Sequence, residues 1–84
     1  MNDSNLKKFR VNLGKKIKKR RLELNLSQPQ LAIRLGNKDK QVVNRYEKEG
    51  ANPTIFNFIE LAKALEFTLD ELLDFTDLEK PESN

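Results

Sequence analysis

The chain contains no cysteine, no histidine and no tryptophan. Without cysteine it has no disulfide framework and no thiolate chemistry, which fits a reducing, cytosolic setting. Without histidine it lacks an imidazole for general-base work near neutral pH, and a zinc site would have only oxygen ligands. Glycine and proline number three each; such scarcity argues for an all-α domain, with these residues marking helix ends. No apolar run approaches the length of a membrane span, and the start, Met1 to Phe9, has no signal-peptide core. No internal repeat stands out. A chain of 84 residues makes one domain that buries roughly 60–65% of its unfolded surface. That suffices for one small core and leaves no room for a large substrate pocket. Enzyme readings also want for parts. Asp70 and Glu71 are neighbours that point different ways, Ser27 has no base available, and no glycine-rich phosphate loop is present.

What the chain does have is charge, unevenly placed. Residues 1–48 hold fourteen Lys/Arg against four Asp/Glu, a net of +10, whereas residues 49–84 hold two against nine, a net of −7. A basic half joined to an acidic half points to a polyanion on one side of the molecule. The densest run, Lys15 to Arg21, has six basic residues in seven. It lies inside a predicted helix, so a nuclear-import tag is a poor reading. Long-range attraction to phosphates, or plain solubility, suits Lys15, Lys16, Lys18 and Lys19 better.

Periodicity divides the chain into five helices. The first is expected from about Leu6 to Leu24, with Leu6, Phe9, Leu13, Ile17 and Leu24 on one stripe. At ~100° per residue Lys15, Lys18 and Lys19 point away from that stripe, while Arg20 and Arg21 flank it. Ser27 with Gln30 makes a capping box for a second helix of about eight residues, and Gly36 closes it in the left-handed region. So short a helix must be packed to survive. Asp39 caps a third helix, about 39–48, whose inward side is Val43, Tyr46 and Glu47. Gln41, Asn44, Arg45 and Lys48 face outward by the same period. Thr54 opens a fourth helix with the stripe Ile55, Phe58, Ile59, Ala62 and Leu65. Thr68 and Glu71 box the start of a fifth, carrying Leu69, Leu72 and Leu73. Three segments result: residues 1–11 as an N-terminal extension and helix start, 12–73 as the folded domain, and 74–84 as an acidic C-terminal tail.

Two short helices joined by a tight turn, the second polar outside, describe a helix-turn-helix. The residues "LSQPQLAIRLG", "QVVNRYE", "NP" and "LAKALEFTLDELL" also resemble, in order and near-family spacing, the Cro/repressor-type (XRE-type) helix-turn-helix domain of phage and bacterial regulators. The resemblance covers roughly residues 12–73. It implies a five-helix, repressor-like domain whose third helix enters the DNA major groove, usually as a homodimer on a two-fold operator. It further implies that Gln28 contacts a phosphate, that Lys40, Gln41 and Arg45 read bases with Asn44 and Lys48 beside them, and that Asn52 touches the backbone. Lys38, in the turn before the third helix, joins this DNA-contacting set. Three features depart from the family pattern. The turn after Gly36 is one residue longer, Gly50 comes one residue late after Tyr46-Glu47, and Glu66 stands where the family has glycine.

The chemistry agrees with that implication. Arg45 can bond both acceptors of a guanine, and Gln41 or Asn44 can bond adenine in the same bidentate way, each pair discriminating by about 1–3 kcal/mol. Val42 can touch a thymine methyl. The bland alternative for this face is a solvated helix surface. Gln28 sits in a helix's first turn, where free N–H groups favour a phosphate. Glu47 and Arg21 lie at the core's edge with opposite charge, and the expectation is a structural ion pair between them. Phe67, Leu72, Phe75 and Leu78 exceed what a minimal fifth helix needs, and serve either core packing or a dimer seam. The expectation is a double-stranded DNA-binding transcriptional regulator, a repressor, with no cofactor and no metal, working in the cytoplasm at a bacterial or phage nucleoid. The alternative is a protein-interaction module or antitoxin that docks a regulatory partner protein through its acidic half.

Overall fold

The computed structural model describes residues 3–36, 38–49 and 54–78. Five helices follow one another: α1 (Asp3–Glu23), α2 (Gln28–Arg34), α3 (Lys40–Glu49), α4 (Ile55–Ala64) and α5 (Leu69–Leu72), closed by a 3-10 turn at Thr76–Leu78. No strand occurs among the described residues, and no described helix is long and apolar enough to cross a membrane. α1 runs unbroken through residues 11 and 12.

Local chemistry sets the helix ends. Ser27 Oγ accepts from Gln30 N at 3.1 Å while Gln30 Oε1 accepts from Ser27 N at 2.8 Å, and Thr68 and Glu71 repeat the box at α5. Each satisfies two N–H groups that a helix start leaves without partners. Thr54 caps α4 through the Asn57 N–H, and Asp39 accepts from Gln41 N at 3.1 Å at the start of α3. At the far ends the chain turns left-handed: Asn25 at φ 58, Gly36 at φ 95 and Glu66 at φ 60. Glu66 thus adopts the conformation that glycine would take most cheaply. Its N–H reaches Lys63 O and the next N–H reaches Ala62 O, a complete Schellman closure.

The core is Leu13, Ile17, Leu31, Ala32, Leu35, Val43, Leu61, Ala62, Ala64, Leu65 and Leu72. Phe9, Leu26, Tyr46, Phe58, Phe67, Leu69 and Phe75 pack around it. α3 lies against both α1 and α2. Two expected stripes need correction. Leu6 is 45% exposed, because the first turns of α1 extend past the core. On α4, Ile55 and Ile59 face out, and the buried side is supplied by the helix's C-terminal half, Leu61 included. Leu73 is likewise exposed.

The glycines do not all mark helix ends. Gly14 lies mid-way along α1, where a Cβ would stand 2.5 Å from Glu47 O and 2.8 Å from Tyr46 O. Only hydrogen fits, so Gly14 sets how closely α3 approaches α1.

The C-terminal apolar residues serve the fold. Leu72 is fully buried, and Phe75 stacks obliquely on Phe9 with ring centres 5.8 Å apart. Beyond them Asp77 folds back onto α1, accepting from Lys16 Nζ at 3.0 Å and Lys19 Nζ at 2.6 Å. Lys16 is itself buried, its ammonium 5.3 Å from the centre of the Phe67 ring. Two lysines read as phosphate attractors, the buried Lys16 and the exposed Lys19, are therefore paired within the chain, because the strap after α5 returns an acidic residue to them.

Candidate nucleic-acid interface

α3 is held from behind by three side chains. Val43 is fully buried, Tyr46 is half-buried, and Glu47 faces Arg21. Burial pushes the Tyr46 phenol up from its ordinary pKa, against the neighbouring charge of Arg45. The Arg21–Glu47 pair is bidentate, Nε to Oε2 at 2.6 Å and Nη2 to Oε1 at 3.1 Å. The two side chains are only 9% and 4% exposed. Arg21 Nη1 also donates to Leu26 O at 2.8 Å, and Gln28 Nε2 donates to Glu47 Oε1 at 3.1 Å. Among the described residues no buried side-chain polar atom lacks a partner, the condition under which a buried ion pair is tolerable.

With that side occupied, the other side of α3 is free. Gln41, Asn44, Arg45 and Lys48 are exposed and line a shallow depression of about 370 Å³. Their spacing of i, i+3, i+4 and i+7 places them on one face. Val42 is half-buried beside them, and Lys38 and Lys40 are exposed at the helix's entrance. Six of the expected DNA-contacting residues thus share one end or face of α3. Gln28 stands apart at the start of α2, half-buried with its amide on Glu47. Asn52 lies outside the described residues, as do Asn37, Gly50 and Pro53.

The fold sorts its cations by task. Arg20 donates to the carbonyls of Leu65 and Glu66, and Arg34 donates to Ala64 O and pairs with Glu66 at 3.0 Å. Two arginines therefore clasp the C-terminal carbonyls of α4, where partial negative charge collects. Lys16, Lys19, Arg20, Arg21 and Arg34 are structural. Lys38, Lys40, Arg45 and Lys48, on or just before α3, remain for an external anion, and so do the exposed Lys15 and Lys18 on α1. Reasoning from the sequence missed the Gln28–Glu47 bond, the arginine clasp and the Asp77 strap, all contacts between distant segments. It also missed the role of Gly14, although a glycine inside a helix costs roughly 1 kcal/mol against alanine and was a legible signal.

The helix-turn-helix family matches residues 17–72 of the chain. A solved structure, the restriction-modification controller protein C.AhdI from Aeromonas hydrophila, is 32% identical, covering 75% of this chain and 94% of that one, with a TM-score of 0.69. No curated protein matches the chain. The chain belongs to the XRE-type helix-turn-helix family, and it is a DNA-binding transcription regulator.

Proposed function

We propose that the protein binds a two-fold duplex operator sequence-specifically as a homodimer and represses transcription, without catalysis, in a bacterial or phage-infected cytoplasm. α3 enters the major groove, with Gln41, Asn44 and Arg45 at base edges and Lys38, Lys40 and Lys48 at phosphates. Gln28 and Asn52 contact the backbone on either side. One observation carries this reading: α3 is anchored through Val43, Tyr46 and Glu47 while its opposite face is polar, exposed and unobstructed.

Size supports pairing. α3 has ten residues, about 15 Å of helix, and reaches one half-site, whereas half-sites lie about 34–36 Å apart. A second copy supplies the second helix. The surface for that contact is the exposed face of α4, where Ile55, Phe56 and Ile59 are 69%, 65% and 39% accessible within ~100° of arc. Likeness to a restriction-modification controller protein supports a regulatory role.

The test is selection of bound duplexes from a random pool at near-physiological salt. The expected product is an inverted repeat, with affinity falling steeply as salt rises. Recovery of unrelated duplexes, or of none, overturns the proposal in favour of a partner-docking module.

A further inference from the structure

We infer that Glu47, on the inward side of α3, is a positioning residue for the contact that Gln28 makes with DNA. This rests on the DNA-binding reading and goes beyond it by assigning a task to a side chain that cannot itself touch DNA, being only 4% exposed.

The two ends of a glutamine amide are alike in shape and opposite in sign, one donating and the other accepting. A free Gln28 turns either end outward, and the oxygen repels a phosphate. A carboxylate accepts only. Glu47 Oε1, 3.1 Å from Gln28 Nε2, therefore selects the nitrogen. Reversing the amide would set two oxygens against each other beside a desolvated charge. One N–H is held, and the second N–H of the same nitrogen remains for a phosphate oxygen. Arg21 fixes the carboxylate in turn, by two bonds to Glu47 and one to Leu26 O just ahead of α2. Gln28, in α2, and the base-reading face of α3 are thus referred to one carboxylate. The spacing between the phosphate contact and the base contacts is set inside the protein before DNA arrives, which lowers the ordering cost of binding.

Loss of a hydrogen bond to a charged phosphate corresponds to about tenfold in affinity. Removing Glu47 alone strands Arg21, so the informative variant is Arg21→Met with Glu47→Met, which replaces a buried pair by apolar groups of similar volume. In that background, verified as folded by circular dichroism, affinity falls about tenfold on the operator and on an unrelated duplex alike. Gln28→Ala falls equally on both, and adding it to the Met pair costs nothing more. Full additivity, or an unchanged affinity in the Met pair, overturns the inference. Should the Met pair not fold, the Gln28 side-chain amide in the unaltered protein decides by NMR. One amide proton protected from exchange with solvent by its bond to Glu47, and the other shifting when DNA is added, uphold it. Equally fast exchange of both protons with solvent in the free protein overturns it. Wild-type protein that binds no duplex overturns the DNA reading and this inference together, whereas wild-type binding with additive losses overturns this inference alone.

Discussion

Arg45 and Lys48 stand about one turn apart on the same exposed face, and the proposed docking gives them contributions to binding that differ in kind. A guanidinium can hold both acceptors of a guanine, so Arg45→Ala should cost about 1–3 kcal/mol on the best duplex and much less on others. Lys48→Ala should weaken all duplexes alike and lower the slope of log affinity against log salt by about 1. Binding titrations at three salt concentrations on two duplexes separate the two patterns. Equal losses for both variants on both duplexes would mean that α3 reads no bases. Asp77 is a residue whose effect appears in stability. Burial pushes its pKa up, but hydrogen bonds from Lys19 and Lys16, with their charges, outweigh burial and hold the carboxyl at about 2. A folded-state pKa below the unfolded one gives stability that is complete above about pH 4 and is lost as pH falls through about 2. Both lysine bonds lie at a partly exposed edge, so solvent screening leaves roughly 1 kcal/mol. Asp77→Asn should lower the melting temperature at pH 7 and converge with wild type near pH 2. A constant gap across that range would show that the strap is held by Phe75 and not by charge.

Helix positions were legible because their end signals are local. Ser27-x-x-Gln30, Thr68-x-x-Glu71 and Gly36 each act within a few residues, and the observed caps fall on them. α1 needed adjustment, beginning at Asp3, since nothing near Leu6 stops a helix of polar residues. Which face each helix buries was less legible, and α4 shows why. An apolar stripe identifies a face that prefers to leave water, but Ile55 and Ile59 lie beyond the reach of α1 and α2, so neighbours decide what is covered. The outward side of α3 could be read because one inward residue, Val43, orients the whole helix. Two substitutions at element junctions have opposite expected signs. Gly14→Ala gains helix propensity worth about 1 kcal/mol, but its Cβ meets two backbone carbonyl oxygens that cannot turn aside. The clash outweighs the gain, and denaturant melts should show a net loss of about 1–3 kcal/mol. Glu66→Gly removes a left-handed strain of about 1 kcal/mol and gives up an exposed pair with Arg34 worth less than that. It should leave stability unchanged or raise it by up to about 1 kcal/mol. A loss larger than that would mean that Arg34 depends on the Glu66 carboxylate to reach Ala64 O.

Across the whole molecule, charge divides along the chain: α1 to α3 carry the basic excess and the segments from α4 onward the acidic one. The two halves are not apart in space, since Asp77 lies on Lys16 and Lys19 and Glu66 on Arg34. The cations left exposed on and beside α3 are those that can draw a polyanion and raise the rate of encounter. Attraction does not supply a second recognition helix. The described chain is 35 Å in its longest dimension and has one α3, so a two-fold operator needs two copies. On the proposed dimeric docking, their contact would use apolar surface that the fold leaves uncovered. Leu72 is fully buried, and Phe67, Phe75 and Leu78 are half-buried in the monomer, so they offer less of it. Phe56 offers more, because it is 65% exposed on α4 between Ile55 and Ile59. Phe56 also edges a groove with Leu35, Tyr46 and Leu61, but most of its surface is in water, so Phe56→Glu should lower monomer stability by no more than about 1 kcal/mol. In a symmetric pair the same change brings two carboxylates to the two-fold axis in place of two rings. Sedimentation at micromolar concentration should then show a one-chain mass for the variant and a two-chain mass for wild type. Operator affinity should fall about 100-fold or more through lost bivalency, while binding to an isolated half-site is unaltered. Should the variant remain a dimer with wild-type operator affinity, the α4 face is solvent-exposed for some other reason, and pairing must run through residues outside the described segments.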